Sequence, residues 1–70
     1  MQNVDLLRLT RSSIKAGRIG DAIDALDLLE GIAVRDLALK AVIALEHRNT
    51  RLALSLVDRC YGIPCSEGGG

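Results

Sequence analysis

The sequence predicts an all-α protein built from two helical hairpins, and three observations support this class. Apolar residues recur at helical spacing through most of the 70 residues. The pattern returns in the second half of the chain, so that Ala22-Ile23-Asp24-Ala25 corresponds to Ala53-Leu54-Ser55-Leu56. Tyr61 is the only aromatic residue, and a core of Leu, Ile, Val and Ala is typical of packed helices. A repeated hairpin is typical of binding scaffolds and not of catalytic frameworks.

The first hairpin is predicted from residues 4–16 and 20–30. In the first helix, apolar side chains fall at positions 4, 7 and 14 and at 6, 9 and 16, and Gly17 can supply the left-handed residue that ends it. The second helix alternates inward apolar residues with an outward acidic face, and Gly31 is expected to end it. The acidic face consists of Asp21, Asp24 and Asp27.

The second hairpin is predicted from residues 34–47 and 51–61. Its first helix is apolar nearly all round, because Leu39 and Ile43 lie off the main apolar face, and such a helix is central or contacts a partner. Asn49 or Thr50 caps the last helix. We assign residues 1–63 to one domain and residues 64–70 to a flexible tail.

Residues 15–23, KAGRIGDAI, resemble the hinge of a tetratricopeptide repeat, in which a small residue turns the chain and an alanine opens the second helix. Leu6 and Leu9 also match apolar positions of that family. The period of 31 is shorter than the usual repeat of about 34 residues, and Arg48 stands in place of the hinge glycine in the second copy. The resemblance implies two αα-hairpins stacked as divergent tetratricopeptide-like repeats.

Two other helical architectures remain open. The stretch from Lys15 to Arg18 is also similar to pentatricopeptide repeats, which bind RNA one base per repeat, but two repeats and zero net charge argue against that use. A compact four-helix bundle is the second alternative, because core packing alone produces the same periodicity.

Composition argues against several classes of function. Nine basic and nine acidic residues give a net charge of zero, so we expect no nucleic-acid partner. No apolar run reaches the roughly 18 residues that span a bilayer. The first residues lack a basic segment followed by an apolar one, which predicts no secretory signal and a cytoplasmic location.

No catalytic or metal-binding constellation is predicted. His47 is the only histidine, and no serine lies in a Gly-x-Ser-x-Gly frame. Cys60 and Cys65 would need two further ligands to hold zinc, and a disulfide between them would close a very short loop. We therefore expect neither enzymatic activity nor a cofactor.

Protein binding is the expected function. In stacked hairpins the first helix of each hairpin lines one wall, which is apolar with cationic edges and suits an amphipathic helix with acidic flanks. The predicted partner-binding residues of this wall are Val4, Leu7, Arg11, Ile14, Lys15, Arg35, Ala38, Val42 and Leu45. The alternative is that Leu7, Ile14, Val42 and Leu45 pack against each other or against a second copy of the chain.

The segment Leu6-Leu7-Arg8-Leu9, with Ser12 and the hinge from Gly17 to Ala22, resembles the central repeat of the tetratricopeptide-like chaperones of bacterial type III secretion. Those chaperones sequester needle subunits together with a second small helper protein. The resemblance implies a small chaperone or adaptor for another protein's helical segment. The rival hypothesis is a structural or regulatory homo-oligomer without a client. In either case a domain of this size is expected to be an oligomer with itself or a partner.

Overall fold

The computed structural model of the protein describes residues 2–62, which form four α-helices joined by short connections. The helices are α1 (Asn3–Lys15), α2 (Ile19–Asp27), α3 (Ile32–Glu46) and α4 (Thr50–Tyr61). No β-strand occurs within this range, which confirms the predicted all-α class and its four helices. The predicted flexible tail and Cys65 lie outside the described residues.

The first hairpin turns at Gly17, whose φ is 82°. The N–H of Arg18 donates to the carbonyl of Ser13 at 2.7 Å, and the N–H of Gly17 donates to the carbonyl of Ile14 at 3.1 Å. These two bonds make a Schellman motif, which satisfies carbonyls that a helix end otherwise leaves without partners. The predicted left-handed stop at Gly17 is therefore confirmed.

The second hairpin makes the same turn at the equivalent place in the repeat, with a different residue at the left-handed position. Arg48 has a φ of 61°. The N–H of Asn49 donates to the carbonyl of Ala44 at 2.8 Å, and the N–H of Arg48 donates to the carbonyl of Leu45 at 3.0 Å. A left-handed non-glycine residue costs about 1–2 kcal/mol. The repeat thus extends to the backbone even where its sequence departs from the pattern.

The connection between the two hairpins differs from the prediction. α2 ends at Asp27 and not at Glu30, and α3 begins at Ile32 and not at Val34. The cause is a contact distant in sequence. Nδ2 of Asn3, at the start of α1, donates to the carbonyl of Glu30 at 2.7 Å, and Oδ1 of Asn3 accepts the N–H of Glu30 at 3.1 Å. This pair of bonds takes the backbone at Glu30 out of the helix.

Gly31, predicted to end α2, instead precedes the first residue of α3 and has a φ of 105°. Its carbonyl accepts the N–H of Arg35 at 2.8 Å, which is the first hydrogen bond of that helix. The guanidinium of Arg35 also donates to the carbonyl of Leu29 at 3.4 Å. Leu29 remains fully buried although it lies outside both helices. Backbone and side-chain bonds therefore hold this connection at several points.

The four helices close into a ring in which each helix packs against two others. α1 contacts α2 and α4, and α3 contacts α2 and α4, whereas α1 and α3 do not contact each other within residues 2–62. These contacts are those of the compact four-helix bundle, the alternative to a side-by-side stack. Two hairpins closed on each other bury both apolar faces, whereas a stack of only two repeats leaves its end faces open.

The core repeats with the same period as the sequence. The positions buried in both copies are Leu7 and Ala38, Thr10 and Ala41, Ser13 and Ala44, Ile14 and Leu45, Ala22 and Ala53, Ala25 and Leu56, Leu26 and Val57, and Leu29 and Cys60. Leu6 and Val34 complete the buried set in the part of the chain that the structure describes. The two hairpins therefore contribute equivalent faces to one core.

Candidate functional site

Four of the nine predicted partner-binding residues lie in the core. Leu7, Ile14, Ala38 and Leu45 are each at most 4% exposed. They cannot meet a partner while the bundle is closed, so the predicted wall does not form as an accessible surface. The physical reason is the ring of helices, which turns the inner faces of both hairpins toward each other. Of the four residues in the alternative grouping, Leu7, Ile14 and Leu45 are buried and Val42 is half-buried.

The other five predicted residues lie at the margins of the bundle. Val4 and Lys15 are exposed on α1, and Val42 is half-buried against the core. Nη1 of Arg11 lies 3.6 Å from Oδ1 of Asp58, which joins α1 to α4. Arg35 bonds to the connection between the hairpins. Arg11 and Arg35 therefore contact other parts of the bundle, and the structure does not bring the nine residues together as one surface.

The second apolar face of α3 is open to solvent. Leu39 is 63% exposed and Ile43 is 55% exposed, one helical turn apart. Leu52 of α4 is 47% exposed. The sequence contained the sign of this surface, because the third helix is apolar nearly all round and a single buried face cannot accommodate every apolar side chain. The predicted binding wall used the opposite face of the same helix, which carries Ala38 and Leu45.

A groove runs between α3 and α4 beside these side chains, with a volume of about 440 Å³. We call it the α3–α4 groove. Its lining is Lys40, Ile43, Ala44 and His47 from α3, Asn49 from the turn, and Leu52 and Leu56 from α4. Four of the seven lining side chains are apolar, and the other three are Lys40, His47 and Asn49.

The second hairpin turn positions the two sides of the groove. The left-handed Arg48 reverses the chain after α3, and Asn49 then caps α4, because its Oδ1 accepts the N–H of Leu52 at 3.3 Å. Of the two predicted caps, Asn49 and Thr50, the structure therefore has Asn49. The cap fixes the first turn of α4, which carries Leu52, directly after the turn. The groove is therefore built by one hairpin alone.

Basic residues predominate in the segment that builds the groove. Between positions 40 and 51, Lys40, Arg48 and Arg51 are the basic residues and Glu46 is the acidic one. Nζ of Lys40 lies 3.3 Å from Oδ2 of Asp36, but both side chains are more than half exposed. An exposed pair of this type is worth only a few tenths of a kcal/mol. Lys40 can therefore turn to a carboxylate of a partner at little cost.

A second apolar feature lies at the start of α3, where the two hairpins join. Ile32 is 91% exposed and Leu28 is 65% exposed. We call these two residues the α2–α3 corner. The chain around it is acidic, because residues 19–32 contain four carboxylates and no basic residue. Those carboxylates belong to Asp21, Asp24, Asp27 and Glu30, all on exposed positions.

Two other features do not form a site for a ligand. A cavity of about 20 Å³ between α2 and α3 has room for about one water molecule. Cys60 is 3% exposed, and burial raises the pKa of its thiol, so the reactive thiolate is disfavoured.

Within residues 2–62 no group of three or more His, Cys, Asp or Glu is placed to hold a metal ion. Across the same residues no helix has the length and apolarity needed to cross a membrane.

The comparisons with protein-family models, with curated proteins and with solved structures find no match to this chain. The resemblance to tetratricopeptide repeats and to secretion chaperones therefore stays a prediction. A closed helical bundle with an open apolar groove on its second hairpin is what remains to indicate the function.

Proposed function

We propose that this protein is a protein-interaction module that holds the apolar side of a partner's amphipathic helix in the α3–α4 groove. The observation that carries the proposal is the groove itself, which is lined by Ile43, Leu52 and other apolar side chains and is open in the described structure. An apolar surface of this kind in contact with water is unfavourable, and covering it with another protein's apolar side chains releases that cost.

The dimensions of the groove suit a helix. From Lys40 to His47 it follows α3 for about 10 Å, or two helical turns, at about 1.5 Å per residue. Its volume lies within the range of about 300–1,000 Å³ that binding pockets occupy. Two apolar side chains of a partner helix at i and i+4 spacing would fit this length, which is the helix-in-groove mode of recognition.

The charges around the groove favour an acidic partner. Lys40 and His47 line it, and Arg48 and Arg51 follow at its turn end. Carboxylates that flank the apolar stripe of the partner would pair with these residues, which favours encounter and orientation more than affinity. A chaperone for a helical client, which the sequence resemblance implies, is one form of this function.

A designed peptide tests the proposal. The probe is a fluorescein-labelled helical peptide of about 18 residues, long enough to hold a helix, with leucines on one face and glutamates beside them. We expect its fluorescence anisotropy to rise on titration with the protein. A peptide with serine at every leucine position should not bind, because the contact is apolar.

Matched variants locate the contact. Leu52→Ser removes an apolar side chain from the groove, and Leu9→Ser removes one of equal exposure, 46% against 47%, from α1. We expect about tenfold weaker binding for Leu52→Ser, the consequence of losing one buried leucine, and unchanged binding for Leu9→Ser. Circular dichroism should show the same helical content in both. Equal weakening by the two variants, or by neither, would contradict the proposed groove.

A further inference from the structure

We infer that the α3–α4 groove also receives the α2–α3 corner of a second copy of this chain, so that copies associate head to tail. This inference rests on the proposed function in one respect, since it uses the same groove as a docking site. It names one occupant for that groove from residues of the chain itself.

The corner presents the side chains that such a groove takes. Ile32 and Leu28 are the two most exposed large apolar residues in the described part of the chain. They lie on a backbone that is already ordered, because Asn3 bonds to Glu30 at two atoms and Arg35 bonds to the carbonyl of Leu29. A preorganised apolar projection loses little conformational freedom on docking.

The charges of the two surfaces are complementary. Residues 19–32, which include the corner, carry four exposed carboxylates and no basic residue, and Arg35 follows at the next turn of α3. Lys40 and His47 line the groove, and Arg48 and Arg51 are next to lining residues in the sequence. Two copies that met groove to groove would bring these basic segments together, which like-charge repulsion opposes. The corner is the acidic, apolar surface that this chain offers to the groove.

One copy cannot fill its own groove with its own corner. Ile32 lies at the first turn of α3, and Ile43, which lines the groove, lies about three helical turns further along the same helix. At about 1.5 Å per residue, the helix separates them by roughly 16 Å. The contact is therefore between copies. In the head-to-tail arrangement that we infer it is heterologous, and a pair keeps a free groove at one end and a free corner at the other.

Complementation between variants tests this geometry. Leu52→Ser disables the groove, the double substitution Leu28→Ser and Ile32→Ser disables the corner, and Leu9→Ser is the control. Sedimentation equilibrium should show a mean mass that grows with concentration for the wild-type chain and for the control. Each disabled variant alone should associate at least about tenfold more weakly. An equal mixture of the two disabled variants should form a two-chain species and stop there.

Three outcomes would overturn the inference. These are a wild-type chain that stays monomeric at all concentrations, corner variants that associate like the wild type, and a mixture of disabled variants that remains monomeric while the wild type associates. All substituted positions are exposed, and circular dichroism of each variant verifies that its helices persist.

The peptide probe separates this inference from the proposed function. The corner double variant retains its groove, so it should bind the acid-flanked peptide as well as the wild type does, or better because no second copy competes. Peptide binding by a chain that never associates would reject the head-to-tail contact alone. Head-to-tail complementation by a chain that binds no peptide would reject the proposed helix-binding function and retain the contact between copies.

Discussion

The two hairpin turns have the same backbone but different residues at their left-handed positions, Gly17 in the first and Arg48 in the second. Their φ angles are 82° and 61°, and each turn closes with the same two hydrogen bonds. Glycine adopts this conformation freely, whereas the Cβ of an arginine is crowded in it. The arginine turn forms in spite of this cost. The left-handed conformation is therefore imposed by the packing on both sides of the turn. The residue at the turn itself does not determine it.

The residues on both sides of the turns support this conclusion. Ser13 and Ala44 precede the two turns at equivalent positions, Ala22 and Ala53 follow them, and all four are buried. Small side chains at these positions let the two helices of a hairpin approach closely. The repeat is therefore retained at the buried positions that the core requires.

The outer surfaces of the two hairpins differ most. The first hairpin presents the acidic face of α2, and the second presents the apolar groove in a segment where basic residues predominate. The two halves therefore share one structural role in the core and differ in the surfaces that they expose. The equivalence of the two hairpins can be tested in the core, at the turns and at the contacts between the hairpins.

The largest effect is expected in the core. Ile14→Ala and Leu45→Ala remove equivalent buried side chains, which are 4% and 0% exposed. Each substitution should lower the free energy of unfolding by about 2–5 kcal/mol, because it loses buried apolar surface and leaves a cavity. Urea denaturation of the two variants should give similar losses if the hairpins contribute equally to one core.

Leu39→Ala is the control for this experiment, because Leu39 lies on the same helix as Leu45 and is 63% exposed. Its free energy of unfolding should change by no more than about 0.5 kcal/mol. A Leu45→Ala variant as stable as the wild type would show that this residue faces solvent. The predicted wall, and not the closed ring, would then describe the molecule.

Helical periodicity predicted the four helices, and residue type predicted the turn at Gly17 and a cap at Asn49 or Thr50, because each depends on residues close in sequence. The end of α2 was predicted three residues too late. Leu28, Leu29 and Glu30 all favour a helix locally, and the contact that ends it comes from Asn3, 27 residues away. Local pattern contains no information about such a bond.

Which apolar face of α3 stays open could not be predicted, for a similar reason. An apolar stripe that faces another hairpin has the same spacing as one that faces a partner protein. The sequence therefore assigned Ile14 and Leu45 to a binding wall, whereas the closed ring buries them. Leu39 and Ile43 were recognised as apolar residues off the main face, but only the packing of α3 against α2 and α4 shows that they remain exposed.

The turns should respond with opposite signs to exchange of their left-handed residues. Gly17→Ala should lower the free energy of unfolding by about 1 kcal/mol or more, because alanine is strained at a φ of 82°. No atom lies within 4 Å of the added Cβ, so the loss would come from the backbone alone. Arg48→Gly should raise the free energy of unfolding by up to about 1 kcal/mol, the relieved strain minus the greater freedom of glycine in the unfolded chain.

Arg8→Gly distinguishes relief at the turn from a general effect of replacing arginine. Arg8 is exposed within α1, where glycine should cost about 1 kcal/mol. Thermal unfolding of the three variants gives the comparison. A destabilised Arg48→Gly would mean that the arginine side chain stabilises the second turn by more than its backbone strain costs, and the two turns would then differ in energetics as well as in sequence.

The smallest effect is expected where the two hairpins meet. Arg11 of α1 pairs with Asp58 of α4 at 3.6 Å. The equivalent positions in the repeat are Val42 of α3 and Asp27 of α2, which both line the small cavity between those helices. The contact of α2 with α3 is thus equivalent to the contact of α1 with α4. It has a valine in place of the arginine, and no ion pair forms there within the described residues.

Val42→Arg should therefore create a second ion pair with Asp27. An exposed pair is worth about 0.2–1 kcal/mol and weakens with salt. The substitution also removes a half-buried valine, so its net effect on stability should be near zero.

A double-mutant cycle with Asp27→Asn isolates the ion pair, and we expect a coupling energy of about 0.2–1 kcal/mol at low salt that falls at high salt. The same cycle on Arg11→Val and Asp58→Asn supplies the reference value. Coupling at the natural pair without coupling at the engineered one would show that the two meetings of the hairpins are not equivalent in geometry, and the internal repeat would then be limited to the hairpins themselves.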